Sequence, residues 1–260
     1  MLHLLGLLPL GIVVGLVAAL LGIGGGLLYV PALTLVGASP IQATATSLLG
    51  ISLGAISSSF QNWRSNHLNL KSVILLAIPA MLTVGVGVAI ANRISENYLL
   101  FGFAGLQVVA IYLINWRRKL ARATFQDKGE AQWHRTKSTK SVSLPKVTSI
   151  GFLAGILSGL FGVGGGIVMV PLQKAFLGES LKASIRISLG AIVLISSVGV
   201  TQHTMAGNVL WLPGLLLGVG SLIGGQLGAR LLPKLPEIWV QYLFTGLLIS
   251  LAIYMVQIAF

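Results

Sequence analysis

The chain has 260 residues, of which 55% are hydrophobic and only 8% charged, and its mean hydropathy is +0.92. A soluble domain carries about a quarter charged residues, so this composition excludes an ordinary water-soluble fold and indicates an all-α polytopic membrane protein. The net charge of +12 does not call for nucleic acid: nine of the 17 basic residues lie between 116 and 146, where a positive-inside bias accounts for them.

Apolar stretches fall at 4–37, 43–62, 72–92, 97–115, 149–178, 183–203, 209–229 and 238–260, each long enough for at least one helix of about 20 residues. The first, MLHLLGLLPLGIVVGLVAALLG, lacks the positive leader of a signal peptide, since the first basic residue is Arg64, and reads as a retained membrane segment. The first and fifth stretches are too long for one crossing. A straight helix of about 33 residues measures roughly 50 Å against a hydrocarbon core of about 30 Å.

Each long stretch contains the same glycine-rich sentence, LGIGGGLLYVP at 21–31 and FGVGGGIVMVP at 161–171. Gly22, Gly24, Gly25, Gly26, Val30 and Pro31 recur 140 residues later as Gly162, Gly164, Gly165, Gly166, Val170 and Pro171. At the same spacing Gly11 and Gly15 recur as Gly151 and Gly155, and Ala43 and Gly50 as Ala183 and Gly190. The chain therefore reads as a first membrane repeat (1–115), a basic cytoplasmic linker (116–146) and a second membrane repeat (147–260). Each repeat holds a glycine-broken first helix followed by three membrane helices. The break is either an unwound turn within a crossing or the tip of a re-entrant hairpin.

The basic residues separate these alternatives. With the 116–146 loop in the cytoplasm and each long stretch crossing once, eleven Lys and Arg fall inside and six outside. If each long stretch enters and returns, sixteen fall inside and Arg93 alone outside. The second count obeys the positive-inside rule far better. It makes the halves inverted repeats of a multi-pass protein of the cell membrane, with both termini outside. The linker, with a net charge of +7, reads as a solvated loop drawn to anionic lipid headgroups.

Duplicated, inverted hydrophobic units with helices broken at matching places are a transporter signature, with substrate bound near the breaks. Helical pieces starting near Leu27 and Ile167 are expected to present free N–H groups and positive dipole ends, which bind anions without a formal charge. The Gly11/Gly15 and Gly151/Gly155 pairs read instead as close-packing surfaces. After each break comes a small-polar segment, ATATSLLGISLGAISSSFQN at 43–62 and ASIRISLGAIVLISSVGVTQH at 183–203. Thr46 and Ser47 are candidate substrate contacts. Ser47, Gly50, Gly54, Ser58 and Gln61 share one helical face, which either lines a path or bonds helix to helix.

Arg186 is the strong charge that falls inside a helix. It either snorkels to the cytoplasmic interface or attracts anions at its mouth. His203 is expected near the opposite interface, with a proton relay as the alternative, and Gln226 is a further pore-lining candidate. No catalytic set is visible. Cysteine is absent, the five acids all lie away from the middles of the apolar stretches, and the four histidines are scattered, so neither a metal site nor a cofactor is expected. The glycine run is no dinucleotide fingerprint, since the preceding strand and the following acid are missing.

With both GxGGGxxxVP runs, the small-polar segment after each and the basic central loop, the chain resembles the TauE/SafE family of sulfite exporters and probable membrane transporters over nearly its whole length. ATATSL at 43–48 is similar to the family's Ala-x-Gly-Thr-Ser-Leu element, with Ala45 in place of glycine, while ASIRISL at 183–189 departs further and sets Arg186 where threonine is expected. The resemblance implies movement of small sulfur-containing or carboxylate-like anions. Lacking an intramembrane carboxylate, such a carrier is expected to run electrogenically, on a membrane potential that supplies about 2.3 kcal/mol per charge per 100 mV. The alternatives are a proton-coupled importer of an organic acid or sulfonate, and a non-transporting scaffold that recruits a partner through its basic loop.

Overall fold

The computed structural model describes residues 6–103, 105–106, 144–236, 238–240, 242–243, 246 and 249–250. Most of the 116–146 linker therefore lies outside the described residues. The first repeat comprises α1 (Leu7–Leu21), α2 (Gly26–Leu35), α3 (Pro40–Arg64) and α4 (Leu70–Ala91). The second comprises α5 (Leu144–Phe161), α6 (Gly166–Leu172) with a π-helical turn at Gln173–Leu177, α7 (Leu181–Met205) and α8 (Trp211–Leu231), which runs on into a 3-10 turn at Leu232–Lys234. Helix α5 opens at Leu144, inside the segment expected to be linker. Residues 96–103 and 238–240 are helical as well, at the places expected for the last helix of each repeat. Five of the helices are long and apolar enough to cross a membrane.

Local chemistry sets the ends of these helices. Ser39 opens α3 with a capping box, its side chain accepting from Gln42 N while Gln42 reaches back to the Ser39 N–H. Ser180 and Asn69 cap α7 and α4 in the simpler way. Between α1 and α2 the backbone turns left-handed at Gly22, Gly24 and Gly25, with φ of 71°, 80° and 93°. Gly162, Gly164 and Gly165 repeat this at 66°, 73° and 78°. Only glycine enters that region without strain, so the runs end one helix and restart the next where the sequence indicates.

The halves are intertwined. Helix α1 packs mainly on α8 and α5 mainly on α4, while α3 lies against both α8 and α7. Glycine seams permit this: a Cβ on Gly11 would meet Gly220 Cα at 3.1 Å, and one on Gly159 would meet Val88 N at 2.8 Å. In lipid such close backbone approach supplies the packing that hydrophobic burial supplies in water.

The order of contacts gives the directions. Gly15 meets Ser221 and Gly225, Gly228 meets Ala19, and Gly220 meets Ile12, so α1 and α8 run parallel. Thr46 meets Gly214, Gly54 meets Ser221, and Gln61 meets Arg230, so α3 runs parallel to α8 as well. In the same way α4 runs parallel to α5 and α7, through Gly151 with Pro79, Gly155 with Ala80, Gly190 with Val73, and Gly85 with Gln202. Helices α1 and α3 therefore point the same way, and α2 must return between them. Accordingly, Gly25 sits beside Ala18 and Val14, while the Tyr29 hydroxyl lies 3.4 Å from Gly11 O. Along these directions Arg64, Lys71, Lys146, Lys174, Lys182, Arg186, Arg230 and Lys234 belong to one end of the bundle, and Arg93 alone among the described basic residues to the other.

The π-helical turn revises the internal correspondence. Helices α3 and α7 are both 25 residues long and their caps, Ser39 and Ser180, stand 141 residues apart rather than 140. One extra residue is absorbed in the π turn, the usual way a helix takes up a single insertion. Ile51 and Ile192 confirm the register, each lying against both Gly24 and Gly164. Arg186 therefore corresponds to Ala45 and not to Thr46, Ser47 corresponds to Ser188, and Gly50 to Ala191 rather than Gly190.

Candidate functional site

The two breaks meet near the middles of α3 and α7. Gly26 lies so close to the Gly162 carbonyl that a Cβ there would overlap it, and Gly166 stands in the same relation to the Gly22 carbonyl. Gly24 and Gly164 share Ile51 and Ile192 as neighbours. All eight glycines proposed from sequence, Gly22, Gly24, Gly25, Gly26, Gly162, Gly164, Gly165 and Gly166, are buried and gathered at this crossing.

Backbone bonding there is incomplete. Leu28 and Tyr29 donate to Gly25 O, and Val168 and Met169 to Gly165 O. Among the described residues no acceptor meets the N–H groups of Gly24, Gly25, Gly26 and Leu27, or those of Val163, Gly164 and Gly165. Buried N–H groups are rarely left so, each costing about 1–3 kcal/mol. Each set is placed beside carbonyl oxygens of the other break. The crossing thus sets N–H donors beside carbonyl oxygens, with Ile51 and Ile192 packed against both breaks.

The remaining candidates divide. Ser47 belongs to the crossing: its buried hydroxyl lies 2.8 Å from Gly162 O and 2.7 Å from Thr44 O. Thr46 is buried, and its hydroxyl accepts the N–H of Leu210, at the start of α8, at 2.9 Å. Ser58 bonds back to Gly54 O at 2.8 Å and packs on Gly225. The Gln61 side chain accepts from Arg230 Nε at 3.3 Å at the basic end. The stripe Gly50–Gly54–Ser58 is thus occupied by α8. Gln226 is half-buried on α8. Arg186, in the second turn of α7, is half-buried with its Nε enclosed and unpartnered. His203 is fully buried, because α5 covers that face of α7, and its Nε2 lies 3.1 Å from Gly159 O.

Sequence reasoning passed over two buried polar pairs on the elements that carry the breaks. Tyr29, fully buried, hydrogen-bonds Ser221 of α8. Gln173, in the π turn, donates to Ser188 Oγ at 2.8 Å with both side chains buried. A lone glutamine in the apolar run IVMVPLQKAF was a signal for Gln173, whereas Ser188 is hidden until the one-residue insertion is allowed for.

The chain matches the family described as "Sulfite exporter TauE/SafE" over residues 7–255. It is 30% identical to a probable membrane transporter protein of Bacillus subtilis, YunE, across 88% of each chain. It is also 30% identical to a probable membrane transporter protein of Xylella fastidiosa, covering 95% of this chain and 92% of that one. A probable membrane transporter protein of Methanocaldococcus jannaschii is 28% identical over 96% of this chain. No solved structure matches it. The chain belongs to the TauE/SafE family and is a multi-pass membrane transporter.

Proposed function

We propose, proceeding from membership of this transporter family, that the chain exports a small anion, sulfite or a related sulfur oxyanion, and binds it where the two glycine breaks cross. The observation that carries this reading is the double set of buried N–H groups that meet no acceptor among the described residues, at Gly24–Leu27 and Val163–Gly165. Fixed N–H dipoles at helix starts hold an oxyanion without a permanent counter-charge, so the substrate need not compete with a salt bridge in order to leave.

The halves act as inverted repeats whose hairpins are re-entrant, a reading supported by the parallel course of α1 and α3 and by the return of α2 onto α1. The end that collects Arg64, Lys71, Lys146, Lys174, Lys182, Arg186, Arg230 and Lys234 is cytoplasmic, so the 116–146 loop lies inside and both termini outside. Arg186 then stands at the cytoplasmic approach, where a cation raises the local concentration of anions.

The test is efflux of labelled sulfite, thiosulfate, sulfate and methanesulfonate from proteoliposomes. Saturable flux of one of these anions, abolished in a Gly25→Val/Gly165→Val variant that still reaches the membrane, is the expected result. Absence of any protein-dependent flux from well-folded protein sinks it. Sidedness is checked with a single cysteine at position 2, which should react with an impermeant thiol reagent in intact cells.

A further inference from the structure

We propose that His203 is the proton-binding group through which anion movement is coupled to a proton gradient; this rests on the anion reading of the crossing. The potential-driven expectation followed from the lack of an intramembrane carboxylate, and folding brings an imidazole into that role. His203 is fully buried, and no Lys, Arg, Asp or Glu among the described residues is. Its Nε2 faces Gly159 O, and a carbonyl can only accept, so the neutral ring carries its proton on Nε2. That leaves Nδ1 as a bare lone pair, buried and without a partner. The ring is therefore a vacant proton site.

Its position links it to the substrate. Gly159 precedes Gly162, the first residue of the second break, by one helical turn, or about 4.5 Å of rise. A buried imidazolium with no counter-charge is strongly disfavoured, and so is an anion held by backbone dipoles alone in an apolar enclosure. Bound together, each relieves the other. By linkage, whatever the proton contributes to anion affinity, the anion contributes equally to proton affinity.

Among the described residues the surroundings do not supply another counter-charge. Within α7 the other ionisable residues are Lys182 and Arg186, at the opposite end. Packed against α7, α5 carries Lys146 and α4 carries Lys71, both at the far end, α3 carries Arg64 at the basic end, α6 has Lys174 in its π turn, and α1 has none. At the His203 end stand Arg93, Glu96 and Tyr98, all exposed. The corresponding residue of the first half is Asn62, equally buried and with its own unpartnered Nδ2. An amide takes up no proton near neutral pH, so coupling belongs to one half only.

The experiment uses the full chain in liposomes, with the potential clamped at zero by valinomycin and equal potassium, and a pH gradient of one unit. The probes are thiosulfate and methanesulfonate, which bind no proton near neutral pH, with sulfite alongside. Wild type is expected to concentrate the carried anion on the alkaline side, up to about tenfold for one proton per anion. In a cell, a dianion carried with one proton keeps a negative charge, so the inside-negative potential still drives it outward. In His203→Asn, the side chain already tolerated at Asn62, whatever downhill flux remains should no longer produce accumulation. A second measurement needs no variant: adding the carried anion to weakly buffered, micellar wild type should draw protons from solution.

Accumulation by His203→Asn equal to wild type overturns the proposal. So does a wild type that carries an anion but ignores the pH gradient and takes up no proton, which leaves the transport reading standing. A wild type that moves none of the anions overturns both.

Discussion

The two breaks have nearly the same backbone and different surroundings, and the difference separates what builds the crossing from what tunes it. Gly22, Gly24 and Gly25 match Gly162, Gly164 and Gly165 in conformation, and Gly26 and Gly166 touch each other's break in the same way. Around them the side chains diverge. Ala18, Tyr29 and Leu33 in the first half stand where the second has Ser158, Met169 and Gln173. One register step later, Thr44, Ala45 and Thr46 face Ile185, Arg186 and Ile187. Backbone geometry is held in common because two interlocked turns leave no room for a Cβ. The flanking polar groups are free to differ, and there each half acquires its own chemistry.

The most drastic way to break this comparison is at the shared contact. Gly26→Ala and Gly166→Ala each push a methyl group into a carbonyl of the opposite turn, where backbone has to move. Overpacking of this kind costs about 1–3 kcal/mol and often more against backbone. Both variants should lower the melting temperature in detergent and abolish flux, and to similar extents. Gly207→Ala, with nothing within 4 Å and only its φ of 73° to lose, should cost much less. If one half tolerates the methyl group and the other does not, the breaks are not equivalent even in backbone.

Next in size are the hydroxyls that reach the crossing. Ser47→Ala leaves the buried Gly162 carbonyl without this partner, and Ser188→Ala leaves the Gln173 amide unpaired, at about 1–3 kcal/mol each. Adding Gln173→Leu, the residue found at Leu33, should recover most of the loss in Ser188→Ala and none of that in Ser47→Ala. Melting temperatures of the singles and doubles give the coupling directly. Equal rescue of both would show that Gln173 does not act through Ser188.

Much of the architecture was legible in the sequence because it depends on glycine. Runs of three adjacent glycines mark where a helix leaves the right-handed region, and they located the breaks and the starts of α2 and α6 to within a residue. The gathering of basic residues at one end followed from counting them. What escaped was register and depth. A gap-free match that holds from Gly151 to Pro171 gives no sign of the extra residue in the Gln173–Leu177 turn, so Arg186 was set against Thr46 instead of Ala45. The burial of His203 is not legible from its place near the end of an apolar stretch, because distance along one helix says nothing about the neighbour that covers it. Tyr29 and Ser221 are 192 residues apart, and only packing brings them together.

Arg186 sharpens the comparison with a smaller effect. Arg186→Ala recreates the residue of the first half, Ala45, and should lower anion flux from the cytoplasmic side by about three- to tenfold at low ionic strength. Because the gain is one of attraction through partly wet surroundings, the gap between variant and wild type should narrow in 0.5 M salt, where screening acts within about 4 Å. A deficit that is independent of salt would mean that the guanidinium contacts the substrate directly.

The smallest expected effect concerns Tyr29, and it tests whether divergence around the breaks extends to recognition. Its ring lies 3.2 Å from the Cβ position of Gly25 and its hydroxyl bonds Ser221 across to α8. Met169 occupies the corresponding place without a hydroxyl, so the hairpin itself does not need one. Tyr29→Phe should therefore cost about 1 kcal/mol, the net worth of one buried hydrogen bond, and lower the melting temperature by a few degrees with flux and anion preference intact. Tyr29→Ala removes the ring as well and should cost about 3–5 kcal/mol through the cavity it leaves beside Gly25 and Gly50. If Tyr29→Phe instead preserves stability but changes which anion is carried, the hydroxyl belongs to the binding site. The first break would then contribute a recognition group that the second, with Met169, lacks.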